Sequence, residues 1–120
     1  MEVTLYDGQG KPVAYVAADS ENSIYTWDGH AVAYITDGKV YGWNGQHLGW
    51  FIDGVIFDLQ GYRVGSIAER CPYATYAQPA KYAKYAKYAK YAKYAAYAKP
   101  ALSVSYGRTH LIDFLNSGAV

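Results

Sequence analysis

The stretch IYTWDG (Ile24–Gly29) decides the fold, because its pattern returns at intervals along the first half of the chain. Its counterparts are VTLYDG (Val3–Gly8), VYGWNG (Val40–Gly45) and IFDLQG (Ile56–Gly61). Each copy starts with a β-branched residue, has an aromatic or apolar residue three positions later and ends in glycine, and two extra residues follow the first copy near Gly10. Such a repeat predicts an architecture built from one small supersecondary unit.

Each copy is followed by a turn and a second apolar segment, and the two together predict a β-hairpin. The second segments are VAYV (13–16), VAYI (32–35), LGWF (48–51) and VGSI (64–67). Asp-Gly or Asn-Gly between alternating apolar runs is typical of a type I′ turn, in which both central residues have positive φ. Two further pairs, Asp37-Gly38 and Asp53-Gly54, join one hairpin to the next. We therefore expect an all-β fold of four pseudo-symmetric hairpins in a shallow radial or closed sheet.

Small residues recur at the second position of these second segments: Ala14, Ala33, Gly49 and Gly65. We expect related strands to converge on a common axis there, since a larger side chain would clash and glycine in a strand often marks a close approach of backbone. The alternative is that these residues only fill thin positions in the core.

The formal net charge of +1 is the sum of two oppositely charged segments. Residues 1–69 carry three Lys or Arg against nine Asp or Glu, a net charge of −6, and residues 70–120 carry eight against Asp113 alone, a net charge of +7. We expect these segments to attract each other, within one molecule or between neighbours, with a strength that salt reduces. The alternative is that each segment is solvated independently.

Residues 72–101 form ten triplets, of which five read Lys-Tyr-Ala. Ala closes every triplet, and Tyr or Pro fills every middle position. A period of three matches the three residues per turn of polyproline II, which has no internal hydrogen bonds. We interpret the tract as extended and held by another part of the protein. An α-helix over 81–99 and disorder are the alternatives, although lysines three residues apart would repel one another on a helix.

The composition divides the chain into three segments: a hairpin domain over 1–69 (the head), the triplet tract over 70–101 and a C-terminal segment over 102–120. In the last segment, a short helix capped by Thr109 would carry Leu111, Phe114 and Leu115 on one face and end near Gly118. We expect this small apolar face to dock onto the head.

The four hairpin motifs, most specifically Trp27-Asp28-Gly29 and LGWF (48–51), resemble the small bacterial proteins of the 4-fold β-flower family. The resemblance covers nearly the whole chain. Members of that family tend to follow the flower with a basic triplet tract rich in Pro, Ala and Arg and a short C-terminus containing Ser and Phe, and here Lys-Tyr-Ala replaces those triplets. The resemblance implies a pseudo-fourfold arrangement of β-hairpins and brings no established activity.

Catalytic and metal sites are not predicted. His30, His47 and His110 occupy unrelated places in the pattern, and there is no phosphate loop, nucleophile elbow or Cys-x-x-Cys pair. Cys71 is the only cysteine, so it forms no internal disulfide. We expect no enzyme activity, no cofactor and no metal. No apolar run reaches the length of a membrane span, and the N-terminus turns polar too early for a signal peptide, so we expect a cytoplasmic protein.

The sequence points to a structural protein whose partner is itself, as a homo-oligomer or filament. We expect the acidic head to hold the basic tract of its own chain or of a neighbouring subunit. The predicted interacting residues of the tract are Lys81, Tyr82, Lys84, Tyr85, Lys87, Tyr88, Lys90, Tyr91, Lys93, Tyr94 and Tyr97. Those of the head are Trp27, Trp43, Trp50, Tyr25 and Tyr41, although large aromatics in a small all-β domain are more often core residues.

The alternative function is binding of nucleic acid or another anionic polymer. Regular Lys-Tyr-Ala units combine positive charge with interleaved aromatic faces, as in sequence-tolerant binding of single strands. The net charge of −6 on the head opposes this function.

Overall fold

The computed structural model describes residues 2–120, and its strands form a closed antiparallel barrel. The strands are β1 (Val3–Tyr6), β2 (Pro12–Val16), β3 (Ser23–Thr26), β4 (Ala31–Thr36), β5 (Lys39–Gly42), β6 (His47–Ile52), β7 (Val55–Asp58) and β8 (Arg63–Ser66). A 3-10 turn over Ala68–Arg70 and the helix α1 (Leu111–Asn116) complete the regular structure of these residues. Successive strands pair around the ring, and β8 closes it by pairing with β1. The predicted all-β fold of four hairpins in a closed sheet is confirmed.

The hairpins are numbered 1 to 4 in chain order, from β1–β2 to β7–β8, and the first is shifted from the register that the sequence predicts. Gly10, not Gly8, has the positive φ of 86° that matches those of Gly29, Gly45 and Gly61. Correspondingly, Leu5 is fully buried in β1, whereas Val3 is 38% exposed. The prediction that Gly8 corresponds to the turn glycines of the other hairpins is therefore wrong. Asp7 begins the turn instead, and its Oδ1 accepts the N–H groups two and four residues further on.

Two kinds of turn alternate from hairpin 2 to hairpin 4. Between hairpins, Asp37-Gly38 and Asp53-Gly54 have positive φ at both residues (53° and 73°, 52° and 80°), as a type I′ turn requires. Within hairpins the predicted type I′ turn is wrong. In hairpin 2 only Gly29 of the Asp28-Gly29 pair has positive φ (94°), and its N–H donates to the Thr26 carbonyl (3.0 Å). This geometry is a type I turn followed by a left-handed glycine, the common three-residue hairpin loop.

The barrel interior alternates large and small side chains. Leu5, Ile24, Val40 and Ile56 lie directly opposite Ala14, Ala33, Gly49 and Gly65, respectively. The four large residues are 0% exposed. Since an eight-stranded barrel has little interior space, such alternation lets the side chains fill it without overlap. The small residues therefore make room for larger partners across the ladder.

Helix α1 fills the remaining interior space. Leu111, Phe114 and Leu115 are 1%, 6% and 0% exposed and belong to the same apolar cluster as the barrel interior. A methyl group added at Gly65 would lie 2.7 Å from Leu111 Cδ2. Each such side chain contributes about 1.5–3 kcal/mol by burial. The expected Thr109 cap is wrong, because His110 occupies the N-cap position and no side chain caps the helix.

The tract surrounds the head as an extended chain. Residues 72–99 are exposed and contain neither helix nor strand. After the tract, Tyr106 pairs with Arg63 of β8, and α1 then enters the barrel. Both ends of the tract are therefore attached to the head. Among residues 2–120, no helix has the length and apolar character needed to cross a membrane.

Candidate interaction site between the tract and the head

The tract contacts the head at four equivalent points, which are nine residues apart in the tract. The N–H groups of Tyr76, Tyr85, Tyr94 and Ser103 donate to the carbonyls of Gly10, Gly29, Gly45 and Gly61 at 2.9 or 3.0 Å. These are the four turn glycines of hairpins 1 to 4. Three triplets of the tract therefore correspond to one hairpin of the head.

The same four glycines also allow the tract backbone to approach closely. The carbonyl oxygens of Ala74, Ala83, Ala92 and Ala101 lie where a side chain at these glycines would begin. Any other residue would overlap with this backbone carbonyl in addition to being strained by the positive φ. The turn glycine therefore serves both the hairpin and the binding of the tract.

Hairpins 2 and 3 hold the tract by additional backbone bonds. Tyr82 and Tyr91 donate their N–H groups to the carbonyls of Trp27 and Trp43, both at 3.0 Å. The corresponding tract residue at hairpin 4 is Pro100, which has no N–H. The backbone attachment is consequently strongest at the middle of the tract.

The tract lysines lie over aromatic rings of the strands. The Nζ–centroid distances are 4.6 Å for Lys81 and Tyr15, 5.3 Å for Lys84 and Tyr25, 5.7 Å for Lys87 and Trp43, 4.2 Å for Lys90 and Tyr34, and 5.5 Å for Lys93 and Tyr41. Lysines nine residues apart thus meet equivalent rings of successive hairpins. Cation–π contacts at partly exposed sites contribute about 0.5–1 kcal/mol each.

Three carboxylates of the head pair with the same lysines. Glu2 pairs with Lys81 and Lys84 (3.1 Å for the latter), Asp19 with Lys87 (3.1 Å), and Glu21 with Lys87 (2.6 Å) and Lys90 (2.9 Å). The hydrogen bond from Lys81 holds the pKa of Glu2 below its usual value, and those from Lys87 and Lys90 do the same for Glu21. The acidic head and the basic tract are therefore in direct contact.

Asp19 is the most strongly shifted of these carboxylates. Partial burial raises its pKa, but hydrogen bonds from the Ser23 backbone and hydroxyl and from Lys87 outweigh this effect and lower the pKa to about 2. The Ser23 N–H lies 3.0 Å from Asp19 Oδ1. Asp19 therefore stays ionised and keeps its pairing with Lys87 over a wide pH range.

The tract tyrosines face mostly outward. The predicted site residues Tyr82, Tyr85, Tyr88, Tyr91, Tyr94 and Tyr97 are 57–70% exposed. Tyr85 nevertheless stacks on His30, with ring centroids 4.3 Å apart and planes 6° apart. The structure brings the backbone and the lysines of the tract to the head and leaves most of the phenol rings in solvent.

The aromatic residues predicted for the head lie under or beside the tract. Trp43 is 1% exposed, and its Nε1 donates to the Tyr88 carbonyl (2.6 Å). Trp27 is half-buried and donates its Nε1 to the Pro12 carbonyl (3.1 Å). Tyr25 and Tyr41 lie below lysines as described above, and Trp50 packs edge-on against His47 at 4.7 Å.

Several contact residues were not predicted from the sequence. Tyr15 and Tyr34 follow the small residues of the second segments, and the alternation of a strand places them on its outer face, so this pattern could have identified them. Asp19 and Glu21 lie in a polar loop after β2, without a counterpart in the other hairpins. His47 has no sequence signal.

His47 receives the tract between hairpins 3 and 4. The ring is 3% exposed, and its Nδ1 accepts the Tyr97 N–H at 3.0 Å. Its Nε2 lies 2.9 Å from the Gly49 carbonyl. A carbonyl only accepts, so Nε2 carries the proton and the ring is neutral. Burial lowers the pKa of His47 from its ordinary value.

The described residues contain no metal centre of the usual kind. Across 2–120, no group of three or more His, Cys, Asp or Glu side chains is placed to hold a metal ion. The site is instead a continuous contact between an extended chain and the outer surface of a barrel.

A family model described as "4-fold beta flower protein" matches residues 3–115, and the chain belongs to this family. The description names a fold and states no reaction. None of the curated proteins and none of the solved structures with which the chain was compared matches it.

Proposed function

We propose that this member of the 4-fold beta flower family is a non-enzymatic structural protein whose head holds the basic tract as a belt and whose chains self-associate by exchanging it. The observation that supports the proposal most directly is the match between nine tract residues and one hairpin, repeated from Ala74 to Ser103. Such a match over four hairpins supports the proposal that the repeated hairpins bind the tract.

The length of the tract agrees with a belt. At about 3.1 Å per residue, its thirty residues reach roughly 90 Å. A circle as wide as the molecule, 35 Å, has a circumference of about 110 Å, so the tract follows most of the perimeter of the head. A shorter tract would leave at least one hairpin uncovered.

The charges favour holding of the tract over binding of nucleic acid. Lys81, Lys84, Lys87 and Lys90 are each paired with a carboxylate of the head. An anionic polymer would have to displace these carboxylates and would meet a head with a net charge of −6. We therefore give preference to self-association over the polymer-binding function.

Exchange would use the contacts already described. The 3-10 turn over Ala68–Arg70 precedes the tract, and α1 follows it, so the exchanged element would be residues 72–120. A neighbouring head offers the same glycine carbonyls, aromatic rings and carboxylates. Since exchange replaces each contact by an identical one, its equilibrium depends chiefly on protein concentration, as in domain swapping.

The experiment is complementation between two variants. One carries Gly29→Ala and Gly45→Ala, which obstruct the tract on its head, and the other carries Tyr85→Pro and Tyr94→Pro, which remove N–H donors from its tract. The two chains are refolded together at high concentration and low salt, and the mass is measured by light scattering during size-exclusion chromatography. We expect a heterodimer in the mixture, in which the intact head binds the intact tract.

Each variant refolded alone is the matched control, and it should give far less dimer. The wild-type chain, refolded over a hundredfold range of concentration, should shift from monomer to larger species. A wild-type chain that stays strictly monomeric over this range, together with a mixture that shows no heterodimer, would refute self-association. Salt-dependent retention of single-stranded RNA or DNA on a filter would support the polymer-binding function instead.

A further inference from the structure

The contact between His47 and Tyr97 differs from every other backbone attachment of the tract. Tyr76, Tyr82, Tyr85, Tyr91 and Tyr94 donate their N–H groups to backbone carbonyls, which cannot be protonated near neutral pH. Tyr97 donates to a ring nitrogen, His47 Nδ1, at 3.0 Å. The imidazole nitrogen is a hydrogen-bond acceptor only while it is unprotonated.

The second ring nitrogen, Nε2, already has a hydrogen-bond partner. His47 Nε2 lies 2.9 Å from the Gly49 carbonyl and must donate its hydrogen there. A proton that binds to the ring therefore has to bind at Nδ1, where it would face the Tyr97 N–H. Two donors facing each other at 3.0 Å repel, so ring protonation and the Tyr97 contact exclude each other.

The groups that face the ring do not favour a positive charge. Tyr41 of β5 and Trp50 of β6 pack against it at 5.2 and 4.7 Å, and Tyr97 stacks on it at 6.0 Å. Lys39 of β5 acts on the ring as a like charge. Tract lysines lie near these packing residues, since Lys93 lies 5.5 Å from the Tyr41 centroid and Lys99 lines a cleft with Trp50 and Tyr97.

The acid that lines the cleft beside Trp50 and Tyr97 is already paired and solvated. Asp37 lines the same cleft, but it pairs with Lys39 at 3.4 Å, and its side chain is 91% exposed. A protonated His47 would therefore be a buried cation without a carboxylate partner, which is unfavourable in proportion to its desolvation.

We propose that His47 is a proton-operated latch, and that its protonation releases the tract between hairpins 3 and 4. The proposal rests on the proposed function and adds its regulation, because a tract released at this point is freer to leave its own head. The lysine–carboxylate pairs at residues 81–90 lie on the side of hairpins 1 to 3 and keep that part of the tract in place.

The direction of the pH effect follows from proton binding. The ring takes up a proton more readily when the tract is released than when it is bound, because burial lowers the pKa of His47 from its ordinary value of 6.5. The tract contact is therefore fully stable above about pH 6.5 and weakens as the pH falls below it. The equilibrium constant of the tract contact falls by at most about tenfold per pH unit. The fall stops below the lowered pKa that His47 has in the bound state.

The test measures hydrogen exchange of the Tyr97 amide in the full chain by NMR between pH 7.5 and 5, corrected for intrinsic exchange rates. The Tyr91 amide, which donates to the Trp43 carbonyl, is the internal reference, because Tyr85 stacks on the ionisable ring of His30. We expect the ratio of Tyr97 to Tyr91 protection to fall by up to about tenfold from pH 6.5 to 5.5. The carboxylates of the site titrate below this range.

The matched variants are His47→Asn and His47→Gln, whose neutral amides neither gain nor lose a proton here. Their protection ratio should be independent of pH, even if the contact is weaker. His30→Gln and His110→Gln remove the other two histidines and should leave the pH dependence intact. Nitrogen chemical shifts of the His47 ring should report a neutral form with the hydrogen on Nε2 at pH 7.5.

A protection ratio that stays constant with pH in the wild type, or that changes equally in the His47 variants, would overturn the latch. The outcome is independent of the dimer measurement. A pH-dependent ratio in a chain that is monomeric under all conditions would support the latch and refute exchange. Heterodimer formation with a protection ratio that stays constant with pH would support exchange and refute the latch.

Discussion

The head and the tract are ordered by different means. The strands of the head bond to one another and enclose a core in which Leu5, Ile24, Val40 and Ile56 are fully buried. The tract is exposed over residues 72–99 and donates its N–H groups to acceptors of the head. The head therefore supplies its own stability by apolar burial, whereas the order of the tract depends on the head.

This difference shows that α1, although it follows the tract in the chain, contributes to the stability of the head. Its apolar face lies in the barrel core. The tract is therefore an exposed segment between β8 and α1, both of which have buried residues. A change in the core should unfold both regions, and a change in the tract should release the tract and leave the barrel intact. The following predictions test this asymmetry.

The largest effect is expected from Phe114→Ala. The Phe114 ring is 6% exposed and packs at Gly49, so its removal leaves a cavity and should lower the free energy of unfolding by about 3–5 kcal/mol. Ile112→Ala is the control, since Ile112 is 37% exposed on the same helix, and it should cost less than about 1 kcal/mol. Urea unfolding measures both. Equal costs would show that α1 does not belong to the core.

Deletion of the triplet 87–89 should release the tract beyond hairpin 2. Six residues would then have to span the distance that nine span now, about 19 Å instead of about 28 Å in an extended chain. Four to five backbone hydrogen bonds between the tract and the head would be lost, each worth about 1 kcal/mol. We therefore expect the free energy of tract binding to fall by several kcal/mol, while the barrel stays folded. Amide exchange of the tract against the strands measures it. Tyr88→Ser, at a ring that is 70% exposed, is the control and should leave tract exchange unchanged.

Tyr85→Pro should weaken the tract at hairpin 2 by about 1 kcal/mol, because it removes the N–H that donates to Gly29. Tyr88→Pro is the matched control, since no backbone carbonyl of residues 2–120 accepts from the Tyr88 N–H, and Pro79 occupies the equivalent place one nine-residue step earlier. The readout is amide exchange at Tyr82 and Tyr91. Similar losses in both variants would argue against the nine-residue register.

Acid should loosen the tract before it unfolds the barrel. Asp19 has a pKa of about 2 against an ordinary value of 3.8, chiefly through bonds from Ser23 that remain when the tract leaves, and the hydrogen bond from Lys87 supplies the part that depends on the tract. This part is lost as the pH falls towards 2. Glu21, whose pKa is also lowered, loses its contribution in the same direction. Amide exchange at Tyr91 measures the effect below pH 5. The double variant Asp19→Asn with Glu21→Gln should flatten this pH dependence, and an unchanged profile would contradict the role of these pairs.

The smallest effect is expected from Ala96→Lys. This triplet is the one that lacks a lysine between Lys93 and Lys99, and the head presents Lys39 on this side. A seventh tract lysine should weaken binding by less than about 1 kcal/mol, and 0.5 M salt should remove the loss. Ala96→Gln, which has a long but neutral side chain, should be neutral. Stronger protection of the tract amides in Ala96→Lys would contradict the prediction that an added lysine weakens tract binding by repulsion.

Part of the site could be predicted from the sequence, because its patterns are local. The hairpin motif, the triplet period and the opposite charges of the two segments indicated an acidic head in contact with a basic extended chain. The partners of individual lysines could not be predicted, since they depend on how far the tract advances around the ring. The shift of the first hairpin also required the structure, because the sequence pattern ends at Gly8, whereas the left-handed turn glycine is Gly10.

The sequence by itself determined two independent periods: about sixteen residues per hairpin from Gly29 to Gly61, and three residues per unit in the tract. Each is local, because turns, alternation and backbone conformation depend on neighbouring residues. Only the tertiary structure decided that three triplets equal one hairpin. That ratio depends on the circumference of the closed barrel, which the number and tilt of its strands fix, and no segment carries this information alone.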